Sequence, residues 1–249
     1  MSRLVEVKKL IEKERKLLPR LGTRKLHWLI KEALQTKGIK CGRDKLFDLL
    51  RFHHMLIKPS RRYIQTTMSK HWMRKWPNII KGKVIDRPEE VWVSDITYIK
   101  TREGNCYLNM ITDAFSRKIV GYAVERNMET ESMINALRMA NTQRKDHRPL
   151  IHHSDRGLQY CSKEYVTLAS QSNIQLSMTE NSDPYENALA ERMNRTIKEE
   201  FGMNKIINSI EQVKQLVKES VKLYNEKRPH LALNMCTPQE VHQIKIPTT

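Results

Sequence analysis

No run of about 18 consecutive apolar residues occurs in the 249-residue chain, so no segment is built to cross a membrane as a helix. The opening stretch MSRLVEVKKLIEKERK is broken by charge every few residues and lacks an apolar signal core, which predicts a cytosolic protein. Cysteine is sparse as well. Cys41, Cys106, Cys161 and Cys236 stand far apart without a C-x-x-C pair, so they are expected to be reduced and buried, forming neither a disulfide framework nor a zinc cage. Internal repeats and low-complexity tracts are missing. One absence is local: residues 49–85 hold nine Lys/Arg and no Asp or Glu at all.

That acid-free stretch belongs to a lopsided whole. The formal net charge is +17, and residues 1–87 carry 24 Lys/Arg against 7 Asp/Glu, while residues 88–249 carry 21 of each. All the excess positive charge therefore lies in the first third. Such a field suits a phosphate backbone, and affinity drawn from it falls steeply with salt. The change of charge marks a boundary near residue 87. A hydrophobic content of 39% supports a packed core, and the length allows one large domain or an ordinary one with a small companion.

Periodicity predicts a helix over 3–18, with Leu4, Val7, Leu10 and Ile11 at helical spacing, ended by Pro19 and Gly22. Thr23 is the expected cap of a second helix carrying Leu26, Leu29, Ile30, Ala33 and Leu34. Gly38 and Gly42 bracket a turn before a third, GRDKLFDLLRFHHM, which suggests helix-turn-helix geometry. Residues 57–85 mix basic side chains with Tyr63, Trp72 and Trp76, suited either to tracking a nucleic-acid strand or to packing an arm on the core.

From Val91 the texture becomes α/β. VWVSDITYIK, CYLNMITD and RKIVGYAV predict an antiparallel meander, followed by a helix near 130–144, a strand LIHHSD, a helix near 162–172 and a fifth strand IQLSMT. Asp183-Pro184-Tyr185-Glu186 predicts a capped helix start running to about Phe201. A further helix is expected over 209–225, and Thr237-Pro238-Gln239-Glu240 opens a last short one.

Three acids stand out against this scaffold. Asp95 follows Val91, Trp92 and Val93 in a run too apolar to be exposed, where a carboxylate is costly unless paired or bound to metal. Asp155 ends a strand, where ligands gather in open α/β sheets. Glu191 follows after 35 intervening residues and is expected two turns inside its helix, on a polar side with Asn194, Arg195 and Lys198. Acids on three separate elements can gather two divalent ions, which cut and join phosphodiester bonds. Taken singly, each acid also reads as a strand-end hydrogen-bonder, a turn former or a surface acid. Asp113 is the rival fourth acid, better suited to bonding the Ser116 turn. His153 shares a strand face with Asp155 and could orient water or pack, and Arg156 and Gln159 could reach a phosphate or pair locally.

VWVSDITYI, LIHHSDRGLQY and ENALAERMNRTIKEEF together resemble the catalytic segments of DDE transposases and retroviral-type integrases, and the basic residue seven after the glutamate fits the same pattern. YNEKRPHLALNMCTPQEV, Tyr224 to Val241, resembles the C-terminal signature of OrfB-type transposases of bacterial insertion sequences. The resemblance covers roughly residues 20–245. It implies a ribonuclease H-like α/β core with a five-stranded mixed sheet and flanking helices, the two aspartates on adjacent central strands. It further implies a small all-α basic region before that core.

The domains expected on this basis are 1–56, helix-turn-helix-like; 57–87, a basic arm; 88–202, the catalytic core; and 203–249, a helical extension. Asp95, Asp155 and Glu191 are the expected catalytic and metal-ligating residues for two Mg²⁺ or Mn²⁺ ions. Lys198, Arg195, Asn194, Arg61, Arg62, Lys70, Arg74 and Lys75 are expected on double-stranded DNA, both transposon ends and target. The implied setting is bacterial and nucleoid-associated, as a homo-oligomer on DNA, alone or with or fused to an OrfA-type product. Unlike retroviral integrases, the chain places Cys41, His53 and His54 at no zinc-module spacing. Two other function classes share parts of the pattern: a ribonuclease H-type or junction-resolving nuclease that cuts without joining, and a non-catalytic DNA-binding regulator.

Overall fold

A computed structural model describes residues 3–57, 74–145, 148–180 and 187–244. The chain opens with three helices, α1 (Arg3–Leu17), α2 (Thr23–Thr36) and α3 (Arg43–Phe52). Their inner stripes, Val7 and Ile11, Leu26, Ile30 and Leu34, and Leu46, Leu49 and Leu50, are buried against one another. The expected cap at Thr23 moves by one residue: Gly22 is the N-cap, in extended conformation, and Thr23 is the first helical residue. A backbone that turns at glycine needs no side-chain acceptor to begin the helix.

Five strands follow, β1 (Val91–Thr101), β2 (Gly104–Asp113), β3 (Ile119–Glu125), β4 (Leu150–Ser154) and β5 (Ile174–Met178), in the order β3-β2-β1-β4-β5. β1 pairs antiparallel with β2 and parallel with β4, so the meander and the crossover strands meet at β1. α4 (Thr130–Gln143) and α5 (Lys163–Gln171) provide the crossovers. They bury Met133, Ile134, Leu137, Tyr165 and Ala169 on the sheet face that carries Trp92, Ile111, Val120 and Leu176. α4 approaches β3 closely because Gly121 has no side chain: a Cβ there would lie 2.2 Å from the Ala136 carbonyl oxygen.

The other face is covered by α6 (Ala188–Glu200) and α7 (Ile210–Lys227), and the chain ends in the short α8 (Pro238–His242). Ser162 and Ser209 cap α5 and α7, and Thr237 and Glu240 form the expected capping box at α8. The buried apolar cluster beneath α6 and α7 runs without a break from Ile99, Leu108 and Met110 through Ile197 and Tyr224 into Leu26 and Leu50 of the N-terminal helices.

Two expectations change here. The fourth cysteine, Cys236, is exposed, because it sits in the loop before α8, while Cys41, Cys106 and Cys161 are buried. Asp183–Glu186 lie outside the described residues, and α6 begins only at Ala188. Of the aromatic arm, Tyr63 and Trp72 also lie outside them, whereas Trp76 packs against the core. Residues 77–79 run along β5, with Ile79 N donating to Ser177 Oγ at 3.1 Å. Among the described residues no helix is long and apolar enough to cross a membrane.

Candidate active site

Sheet register decides where the first two acids lie. Ser94 of β1 pairs with Ser154, the last residue of β4, so Asp95 on β1 lies beside Asp155, the first residue past the end of β4. Strands so paired lie about 4.8 Å apart. Asp95 is held at both oxygens, Oδ1 accepting from Ile96 N at 2.9 Å and Oδ2 from Asn194 Nδ2 at 2.9 Å. Asp155 Oδ1 accepts from Gly157 N at 3.0 Å, and a Cβ on Gly157 would come within 3.1 Å of that same oxygen. Below the pair, Ser94 Oγ shares a 2.7 Å hydrogen bond with the Tyr160 hydroxyl, and Asn187 Nδ2 donates to the Ser94 carbonyl at 3.0 Å. The floor of the site is thus fixed by buried hydrogen bonds.

Glu191 comes from α6, which lies against β1 and β2. It stands in the first turn of the described helix, not two turns inside, since the helix starts at Ala188, four residues after the Pro184 start that an Asp183 cap would give. Each acid feels the other two. Burial, then the neighbouring Asp155 charge, with a smaller contribution from Glu191, pushes the Asp95 carboxyl up to about 7 despite the bonds from Asn194 and Ile96. Burial and Asp155 likewise raise Glu191, against the pull of Arg195. Tyr160 is raised by burial and by the same two aspartates. Burial and neighbouring like charge both disfavour the ionised carboxylate, which is why these groups are raised. Among the described residues, no group of three His, Cys, Asp or Glu side chains is arranged to hold a single ion.

The polar side of α6 does something other than face solvent. Asn194 is 4% exposed and spends its amide on Asp95. Lys198 Nζ donates to Thr97 Oγ1 at 3.1 Å and to the Tyr98 carbonyl at 2.8 Å, over the Tyr98 ring. Both residues therefore knit α6 to β1, because a helix seated across a strand turns that face inward; Arg195 stays exposed beside Glu191. Arg74 and Lys75 are exposed, with the Arg74 guanidinium 5.8 Å from the Trp76 ring. Arg61, Arg62 and Lys70 lie outside the described residues.

The rival residues are otherwise engaged. Asp113 is fully buried and accepts from Ser116 N and Oγ at 2.7 Å and from Glu89 N at 2.7 Å. His153 is buried on Ser177 Oγ at 2.9 Å, Arg156 reaches the Thr179 and Glu180 carbonyls, and Gln159 donates to the Met128 carbonyl. Sequence reasoning missed the supports of the acids, Tyr160, Asn187 and the Asn194–Asp95 bond. Only Asn194 left a signal, three residues after Glu191 and so on its face.

Comparison with known proteins agrees with this architecture. The family described as integrase core domain matches residues 85–184, and a second integrase core domain family matches residues 172–238. The insertion element IS600 31 kDa protein of Shigella sonnei is 34% identical over 229 residues, covering 90% of this chain and 83% of that protein. The transposase for insertion sequence element IS904 of Lactococcus lactis is 30% identical, covering 85% of this chain and 84% of its own. In fold, the HTLV-2 integrase catalytic core domain, solved in complex with magnesium, superposes with a TM-score of 0.52 at 18% identity, over 63% of this chain and 98% of that one. A chain of the simian T-cell lymphotropic virus intasome reaches 0.56 at 18% identity, over 92% and 78%.

Proposed function

The chain belongs to the insertion-sequence transposases that carry an integrase core domain, and from that premise we propose that it cleaves and joins DNA strands at the ends of an insertion sequence. Asp95, Asp155 and Glu191 are its catalytic acids. The observation that carries this reading is the register of β1 against β4, which sets two carboxylates side by side with a third in electrostatic reach.

The donor set fits Mg²⁺ or Mn²⁺. Hard cations of this kind take one or two carboxylates each and complete their shells with water and substrate phosphate, so a site need not close three side chains on one point. Asp95 and Asp155 would hold one ion, Asp95 and Glu191 the other. When bound, the pair supplies charge stabilisation for in-line displacement at phosphorus, with water and then a 3′-hydroxyl as the attacking group. The Asp95 carboxyl, raised by burial and by the neighbouring Asp155 charge, is the observation that favours such a group.

The chain's own residues prepare the rest. Asn194 holds Oδ2 of Asp95 toward α6, and Gly157 N holds Oδ1 of Asp155. Lys198 clamps α6 on β1, so Glu191 is presented from a fixed helix. Exposed Arg195, Arg74 and Lys75, with Arg61, Arg62 and Lys70, supply contacts to duplex DNA, both end and target. The division into a helix-turn-helix-like region 1–56, basic arm 57–87, catalytic core 88–202 and helical extension 203–249 belongs to the same reading. So do assembly as a homo-oligomer on DNA, action with or fused to an OrfA-type product, and work in the bacterial cytoplasm at the nucleoid.

A labelled duplex carrying the element's end, incubated with Mg²⁺ and a target plasmid, tests the proposal. Wild type gives joined products and Asp155→Asn gives none. Wild-type joining by Asp155→Asn would overturn the assignment, and cleavage without joined products would mark a nuclease instead.

A further inference from the structure

His242 and Glu89 take no part in the acid site, yet they close a buried charged cluster drawn from five segments of the chain. Glu89 stands two residues before β1, where the chain enters the core. It is 5% exposed and holds the left-handed region at φ 58°, a conformation that a non-glycine residue keeps only when its surroundings fix it. Its backbone N donates to Asp113 Oδ2 at 2.7 Å, and its carboxylate accepts from Lys145 N at 3.2 and 3.3 Å. From the far end of the chain, α8 sends His242 into the same cluster, its side chain 10% exposed.

The hydrogen bonds fix where the protons are. Asp113 accepts from Glu89 N and, at Oδ1, from Ser116 N and Ser116 Oγ, each at 2.7 Å. With three donors it is ionised, and it takes the only hydroxyl proton of Ser116. His242 Nδ1, 2.9 Å from that Oγ, is therefore the donor of its bond. Nε2 faces Glu89 Oε1 at 3.6 Å, and Nδ1 lies 3.9 Å from Asp113 Oδ1. A neutral ring with its proton on Nδ1 would turn the Nε2 lone pair toward a buried carboxylate, whereas an imidazolium turns an N–H toward it. Burial opposes that charge, and Asp113 and Glu89 outweigh it, so His242 is raised above its ordinary 6.5. Lys118 pulls the other way, and its charge and that of Arg117 also reach the carboxylates. α7, which packs on α8 as well, keeps Lys218, Lys222 and Glu226 exposed.

We propose that His242 is a proton-dependent latch that holds α8 to the joint where the chain enters β1, closed as an imidazolium and released when Nε2 loses its proton. The capping box of α8 is internal, Thr237 with Glu240, and Pro238 and Val241 are its buried residues. Among the described residues, His242 is the residue of α8 whose side chain bonds to the end of the sheet. Loss of its proton takes one counter-charge from two buried carboxylates and leaves no donor toward Glu89. Because His242 is raised on folding, the latch contributes fully below about pH 6.5 and is lost as pH climbs through the raised value.

Histidine-selective NMR and amide hydrogen exchange on the full chain test it. The imidazole resonance missing from His242→Gln should titrate with a midpoint above 6.5, and Glu89→Gln should lower that midpoint. Protection of the α8 amides, corrected for the intrinsic pH dependence of exchange, should fall through the same midpoint. The fall should be about tenfold per pH unit between the midpoints of the latched and the released imidazole. β1 should keep its protection throughout, and His242→Gln should show the released level at α8 at every pH. A midpoint at or below 6.5, or α8 protection flat through it, overturns the latch. So does a fall that β1 shares, which is unfolding of the whole. Should His242→Gln fail to fold, the resonance that moves in Glu89→Gln takes its place, and no moving resonance overturns the proposal.

Discussion

α6 borders two clusters of like charge, and they differ in sign, in support and in what can relieve them. On the side facing β1, Asp95, Asp155 and Glu191 repel one another while Asn194 and backbone amides hold the two aspartates in place. On the other side, the charges of Arg228, Lys25 and Arg117 bear on His230, and Arg228 holds both oxygens of Glu200. The acid cluster is rigid, fixed at each aspartate by hydrogen bonds donated to it. In the basic cluster the hydrogen-bonded part is Arg228 with Glu200 and His230. Oriented carboxylates suit small hard cations that demand geometry, whereas the bidentate Arg228–Glu200 pair already matches its own charge.

The contrast breaks most sharply at the acids. Asp95→Asn keeps the shape of the carboxylate and removes its charge, and strand joining should fall by roughly a thousandfold or more, the several kcal/mol that metal-assisted catalysis contributes. Gel analysis of joined products measures it, and a loss under tenfold would argue against Asp95 as a ligand. Next comes the other cluster. Arg228→Met strands the Glu200 carboxylate, and urea unfolding should show a loss of about 3 kcal/mol, with part restored by adding Glu200→Gln. No change in midpoint would mean that the 2.6 Å pair does not anchor α6.

The two clusters should also respond oppositely to pH in protein free of metal. The Asp95 carboxyl is raised from 3.8 to about 7 on folding, so its contribution is most favourable below pH 4 and is lost as pH climbs through 7. Lys25 is lowered from 10.5 to about 8, so stability recovers as pH rises from 8 towards 10.5. Chemical denaturation across that range, repeated with Asp95→Asn and Lys25→Gln, should remove one limb each. A profile unaltered by either variant would refute the contrast. The smallest effect is expected at Arg195, whose charge partly offsets the rise of Glu191. Arg195→Gln should move the acid limb of the joining rate to higher pH while changing the maximal rate less than about fivefold, as for an exposed pair.

Much of this molecule was legible before any coordinates. The alternation in VWVSDITYIK, CYLNMITD and RKIVGYAV gives the meander, and Met133, Ile134, Leu137 and Ala140 are buried on α4 as their spacing predicts. The capping box at Thr237 was readable because its partners are three residues apart. What escaped was long-range. Asn194, expected on DNA, bonds Asp95, 99 residues away, and a helical wheel cannot say which polar face meets another strand. Lys198, expected on DNA, likewise donates to Thr97 and Tyr98, acceptors that its spacing along the helix does not show. Lys25 and His230 gave no sign of each other.

By itself the sequence determined the order of elements, the uneven charge and the three acids, because periodicity, caps and composition are local properties of the chain. Only the tertiary structure decided which acids become neighbours, since the Ser94–Ser154 register depends on how β4 docks against β1. It alone turned Asn194 and Lys198 inward, and it alone brought the charges of Lys25, Arg117 and Arg228 to bear on one imidazole. Charge can be counted along a chain, but the cost of crowding it depends on burial and distance, and those are set only when the chain folds.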